Sequence, residues 1–361
     1  MVSLWHAFDL TASIGAGEVR KPAAQRLAVD RARPSPRWLK AELFTADEAK
    51  AHEAAWRDLA SRALVPNLFC EPEFALAAVT HLAQGQSPRF LFVFDERVHP
   101  QPRLILVAPL VVPAFGVGEA RLWSHAQLLS STPLIDRDEA DAAIEALLDA
   151  VRQGPARASG LRLSRLDESG VFADLLRQAA ARGGRNVLRF ERAMRTQPHH
   201  VPSRTSPGHG RTVMARTPRR VREAVEHFLA IEALGPAGES GEAMLLSPQA
   251  SAFLRVVTRS LARRRCCHVE LHMSQGQPVG ADIVLRSGER DILWKTTRSD
   301  ASAASGEANG PVAATSSERK VSGDWLIAAR PGRSPAILAL AARDRLSRRL
   351  REMVKRAVRG R

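Results

Sequence analysis

Tyrosine is absent from all 361 residues. A mechanism that relies on a phenol to protonate a leaving group is therefore excluded, and water, Ser or Cys must serve instead. Lysine is scarce: of the 53 basic residues only Lys21, Lys40, Lys50, Lys295, Lys320 and Lys355 are lysines. An Arg-, Ala- and Gly-rich chain with few lysines is what a GC-rich genome encodes, so part of the formal net charge of +15 follows codon usage. The charge is also uneven, because Arg343–Arg361 holds nine basic residues against Asp344 and Glu352. The three cysteines, Cys70, Cys266 and Cys267, are an odd number, and the adjacent pair cannot chelate as a spaced pair would, so a reducing compartment is expected. Aromatics make up 5% and none interleaves with the basic tail, which excludes a specific nucleic-acid motif. No signal-peptide pattern opens the chain. Its longest apolar run, "LILVAPLVVPAFGVG" from Leu104, is too short and proline-broken to span a bilayer. A cytoplasmic location is expected.

With 45% hydrophobic and 25% charged residues the chain is globular. Residues 1–36 read as a flexible arm. Helices are expected over 45–64, where Thr45 can cap, and over 71–83. "RFLFVFDE", "RLILVAPLVV" and "EARLWS" then read as strands. A helix over 137–153, a strand over 160–166, a helix over 170–184 and a strand over 186–193 complete one mixed α/β unit. Residues 196–212 are rich in Pro, Gly and His and read as a linker. No helical or hairpin spacing fixes His199, His200 and His209, so no metal is expected. A second unit begins with helices over 217–235 and 247–265, the latter capped by Ser247 with Pro248 at its first position. "CHVELHMSQG", "PVGADIVLRSG" and "RDILWKTT" follow as an antiparallel meander. Both units thus place helices first and a meander after. From Thr296 to Lys320 there is no Leu, Ile, Met, Phe or Trp. "ILALAARDRLSRRLREMVKRAVRGR" closes the chain as a basic amphipathic helix, with Leu346, Leu350 and Met353/Val354 on one face. It can lie on an anionic membrane such as the inner membrane, or pack its stripe on the protein body.

Several stretches resemble the CelD-like, FemAB-related branch of the GNAT acyltransferases, N-acetyltransferases associated with cellulose and exopolysaccharide biosynthesis in bacteria. They are "SRALVPNLFCEPEFALAAVTHLA", "LILVAPL", "RLWSHAQLLSSTPLID", "AVEHFLAIEALG" and "QPVGADIVLRSGERDILWKT", in order over roughly 36–297. The resemblance implies an α/β fold of two tandem GNAT-like domains: 37–195 before the linker and 213–336 after it, with the tail helix over 337–361. It implies acetyl-CoA or another acyl-CoA as co-substrate, bound in the second domain, no metal, and a small-molecule or amino-sugar acceptor. The chain departs from the family where Gly235 is followed by Pro236-Ala237-Gly238 instead of Trp-Lys-Gly. It departs again where Arg298 stands at a tyrosine position and Ser305-Gly306 is the nearest echo of Ser-Pro-Gly. Divergence to a binding-only protein, or a local change of reading frame over codons 296–330, would each produce this loss.

Acyl transfer needs amides at a helix N-terminus to hold a diphosphate. The turn after "DILWKTT" is where they are expected, with Trp294, Lys295, Ser305 and Gly306 as the cofactor-binding candidates. It also needs a base for the acceptor amine. Glu232, on the apolar face of its helix, and Asp282, inside the apolar strand "VGADIVL", are the candidates, and each can equally be a hydrogen-bonded structural carboxylate. A catalytically silent binding protein and a FemAB-like aminoacyltransferase are the alternative functions.

Overall fold

The computed structural model describes residues 38–98, 100–114, 118–190, 195–196, 211–299, 319–320 and 322–331. The chain divides into Met1–Arg31, which lies outside the described residues, and Ala32–Arg361, whose described part follows. The expected arm, Ser305, Gly306 and the expected tail helix also lie outside them.

The first half runs β1 (Leu39–Phe44), α1 (Ala46–Ala49), α2 (Glu53–Ser61), α3 (Pro72–Leu82), β2 (Arg89–Asp95), β3 (Arg103–Val111), β4 (Glu119–Leu122), β5 (Leu134–Ile135), α4 (Ala140–Arg152), β6 (Gly160–Asp167), α5 (Val171–Arg182), β7 (Arg185–Phe190) and β8 (Arg195–Thr196). The second runs β9 (Thr212–Ala215), α6 (Pro218–Leu234), α7 (Pro236–Glu239), α8 (Pro248–Arg263), β10 (Cys267–Ser274), β11 (Gln277–Ser287), β12 (Arg290–Arg298), β13 (Arg319–Lys320) and β14 (Ser322–Pro331). Caps set the helix starts. Thr45 and Glu48 form a reciprocal capping box on α1. Thr217 and Ser247 accept the N–H groups of Arg220 and Ala250, with Pro218 and Pro248 at the first helical positions. The helix expected over 45–64 is divided by a 3₁₀ turn at Lys50–His52.

The fold is mixed α/β with two main sheets. The larger has eight strands in the order β1-β2-β3-β4-β6-β14-β7, with β5 beside β3. Among the described strands its one parallel pair is β4–β6, bridged by α4. The smaller is antiparallel throughout, in the order β12-β11-β10-β9. The two halves share a plan: β1, helices α1 to α3, then β2-β3-β4; and β9, helices α6 to α8, then β10-β11-β12. The final strand of each meander leads into or carries the same dipeptide, Leu122-Trp123 and Leu293-Trp294. Helices α3 and α8, one from each half, pack on each other, with the Phe74 and Phe253 rings edge to face at 5.5 Å. At the rim of this contact Arg264 reaches Glu71 at 2.6 Å and Glu73 at 2.7 Å.

The domain boundary expected from sequence needs one correction. Residues 322–331 fall within the second unit expected over 213–336, yet β14 lies inside the first sheet, between β6 and β7. Trp325, Leu326, Ile327, Ala328 and Ala329 are all buried. A run that is apolar on both faces can be buried only by an interior strand of a covered sheet. A changed reading frame extending to codon 330 would fill this strand with chance residues, so the burial of Trp325 through Ala329 speaks against one there. No described helix is long and apolar enough to cross a membrane.

Candidate functional site

The two halves meet at a bulge in β12. Ile283 pairs with Lys295 and Val284 pairs with Leu293, which leaves Trp294 as the extra residue. Bulges of this kind re-aim side chains. Trp294 turns into the core, where its ring meets Phe74 at 5.4 Å and Phe253 at 6.0 Å, both edge to face. Its Nε1–H donates to the Gln127 carbonyl at 2.9 Å. The indole expected to bind cofactor is therefore occupied by protein on its faces and at its polar tip. It holds the loop after β4 against β12.

Lys295, next along, is half-buried, with Nζ 5.6 Å from the Trp294 ring centroid. Its amine makes no hydrogen bond or ion pair among the described residues. Burial lowers its pKa below the ordinary 10.5, and the charge of Glu232 opposes that shift. Glu232 occupies the last turn of α6. It is brought beside β12 because Gly235 ends the helix there; a Cβ on Gly235 would stand 3.4 Å from the Arg298 carbonyl. Glu232 Oε2 accepts the Met244 N–H at 2.8 Å, and its other oxygen has no partner among the described residues.

A third group was not singled out from the sequence. His125 follows β4 in the loop that Trp294 holds. Its Nδ1 accepts the Gln127 N–H at 3.2 Å, and its ring stacks on Trp123 at 6.4 Å. Burial, assisted by the charges of Arg165 and Lys295, lowers its pKa below the ordinary value. The imidazole is thus neutral at pH 7, and with Nδ1 accepting, the proton sits on Nε2. Arg165 braces the loop: its backbone has φ 59°, and its Nη1 donates to the carbonyls of His125 and Leu128, each at 3.2 Å. The Arg165 N–H donates to Asp324 of β14 at 3.1 Å. The late strand thus supports the site from behind. One sequence cue existed: His125 follows the same Leu-Trp pair that precedes Lys295.

Asp282 lies elsewhere, on the face of the small sheet that turns away from α6 and α8. Burial pushes its pKa up, but hydrogen bonds from His272 at 3.0 Å, Arg298 at 2.7 and 3.0 Å and Thr296 at 2.7 Å outweigh burial. The carboxyl is held well below the usual range. A carboxylate so stabilised in its ionised form is a poor proton acceptor, which corrects its expected role as catalytic base. Ligand atoms of Glu270, His272 and Asp282 lie within 4.8 Å of one another, a grouping that could hold a metal ion. The guanidinium of Arg298 already engages both oxygens of Asp282. Because the native pKa lies below 3.8, the stabilisation from Asp282 is present at neutral pH and lost as pH falls through the acid range. Asp282→Asn is expected to cost about 2 kcal/mol at neutral pH, since Arg298 is partly solvated and the cost falls short of that for a fully buried pair. Urea unfolding at pH 7 and at about pH 3 checks it; the gap between variant and wild type narrows at the lower pH.

The connection from β5 to α4 in the larger sheet does not suit a diphosphate. Asp136, Asp138, Glu139 and Asp141 crowd the N-terminus of α4, where they already hold Arg62, Arg97, Arg103 and Arg182 in ion pairs.

No family model matches the chain, and no curated protein matches it. Among solved structures it is similar to the crystal structure of a conserved protein of unknown function from Bacteroides thetaiotaomicron VPI-5482. The identity is 8% and the TM-score 0.39, over 76% of this chain and 97% of that one. A likeness at this level leaves the functional question to the chemistry of the site.

Proposed function

We propose that the chain is an N-acyltransferase of the GNAT type, made of two tandem GNAT-like units, which moves an acyl group from acyl-CoA to an amine of a small molecule or amino sugar. The observation that carries this reading is the grouping at the β12 bulge. There Lys295, an amine acidified by burial, feels the charge of Glu232, a carboxylate with one uncommitted oxygen, and its own charge acts on His125, a neutral imidazole with its N–H on Nε2. The repeated plan of the two halves supports it. Each group has a task in acyl transfer. Glu232 accepts the proton of the acceptor amine as the N–C bond forms. His125 donates its Nε2–H to the carbonyl oxygen as negative charge gathers there. Lys295 gives a proton to the departing thiolate as the C–S bond breaks. Composition alone leaves water, Ser or Cys for that last step; burial adds a lysine of lowered pKa to the groups suited to it. A cytoplasmic setting, where acyl-CoA is available, accords with this reading.

Calorimetric titration with acetyl-CoA tests it. Saturable binding below about 1 mM is expected, the upper range of ordinary enzyme affinities. No binding at that concentration contradicts the proposal and favours a catalytically silent protein. His125→Asn should lower kcat about 100-fold with little change in KM, because the imidazole acts on charge that develops during reaction. Steady-state kinetics with a primary-amine acceptor checks this.

A further inference from the structure

The outer face of the small sheet carries a second constellation that the proposed transfer does not use. Thr212 and His272 are directly opposed on β9 and β10, and Glu270 and Asp282 are opposed one row along. Thr212 Oγ1 lies 3.4 Å from His272 Nδ1, and His272 Nε2 lies 3.0 Å from Asp282 Oδ2. These atoms form a line: hydroxyl, imidazole, carboxylate. Its direction follows from the far end. Arg298 and Thr296 both donate to Asp282, so the carboxylate is ionised and can only accept. His272 then carries a proton on Nε2, and in the neutral imidazole Nδ1 is the acceptor that faces the hydroxyl of Thr212. The arrangement is built into the sheet. Gly280 stands between His272 and Arg298 in the same row; a Cβ there would lie 2.6 Å from Arg298 Cδ, so glycine gives that side chain room to cross to Asp282 without shifting. A bulge between β10 and β11 falls directly after His272. Thr212 and His272 are only partly buried, so a reagent can reach them from solvent, whereas Asp282 is buried behind them.

We infer that Thr212, His272 and Asp282 form a nucleophilic relay in which the Thr212 hydroxyl accepts an acyl group from an activated ester or thioester. In the first step Thr212 Oγ1 bonds to the acyl carbon and the bond to the leaving alkoxide or thiolate breaks. The hydroxyl proton passes to His272 Nδ1 and from there to the leaving group. In the second, water attacks the Thr212 ester with His272 as base, a carboxylic acid departs and the hydroxyl is restored. Asp282 orients and stabilises the imidazole throughout and, held by Arg298, keeps its negative charge.

The full chain is treated with p-nitrophenyl acetate and its peptides are mapped by mass spectrometry, with circular dichroism confirming that each variant is folded. An acetyl ester on Thr212 is expected in the wild type and in Thr212→Ser, absent in Thr212→Val, and formed about 100-fold more slowly in His272→Asn. Folded wild-type protein that gains no ester at Thr212 and releases p-nitrophenol no faster than Thr212→Val overturns the inference. So does His272→Asn acetylated there at the wild-type rate, which would make the row a structural hydrogen-bond network only. The assay contains no acyl-CoA, so its failure and a failure of acetyl-CoA binding are separate results.

Discussion

Trp325→Ala is expected to destabilise the protein by about 4 kcal/mol, within the range for deleting a large buried aromatic. Trp325 is fully buried in β14, the strand between β6 and β7. Its Nε1–H donates to Glu168 at 2.6 Å, and the Arg189 guanidinium lies 5.0 Å above its ring. Alanine leaves a cavity in the strand that fills the gap between β6 and β7 in the sheet. It also leaves a partly buried carboxylate without a donor. The loss reaches the candidate site, because neighbouring Asp324 accepts the Arg165 N–H and Arg165 braces the loop that carries His125. Urea unfolding measures the cost. Trp325→Phe, which keeps most of the volume and loses the N–H, should cost about 1 kcal/mol. Equal stability for the alanine variant and wild type would mean that β14 is not an interior strand.

Lys295→Met should lower acyl-transfer turnover at least about 100-fold while making the protein more stable by about 1 kcal/mol, a trade typical of functional residues. The stability gain follows from an amine that is half-buried with no hydrogen bond or ion pair among the described residues. Its native pKa is lowered below 10.5, so between the native value and 10.5 the unfolded chain binds more protons than the folded one, and stability rises with pH across that interval. Below the native pKa the whole cost of burying the charge is present. Methionine removes it, so the advantage of the variant is largest at neutral pH and shrinks toward about pH 10, where the unfolded lysine also begins to lose its proton. Thermal unfolding at both pH values and a turnover assay read the two effects. A variant that is less stable at pH 7 would show that the ammonium has a stabilising partner.

Local signals made much of the fold legible. The Ser247-Pro248 start of α8 follows from cap chemistry within a few residues, and the β10-β11-β12 meander follows from short turns between apolar runs. β14 was not legible in place. Its own residues read as a buried strand, but its partners are more than a hundred residues away, and nothing within the run names them. The site divides in the same way. Glu232 is legible because a carboxylate on an apolar helix face is conspicuous, and Lys295 because it stands near the end of a strand, beside Trp294. Asp282 was conspicuous for the same reason as Glu232, yet its role is decided by His272, Thr296 and Arg298 on neighbouring strands. Trp294 faces the core because of a bulge that periodicity does not reveal. His125 owes its neutral state to burial under groups from both halves, a property of the assembled site.

The central claim is that the acyl donor is engaged at the β12 bulge, between Glu232, Lys295 and His125. Backbone hydrogen exchange of the full chain, with and without saturating acetyl-CoA, tests it most directly. Slowed exchange at residues 123–128 together with residues 293–299 is the predicted result. Acetyl-CoA that binds yet leaves both segments unchanged while protecting another region would contradict it.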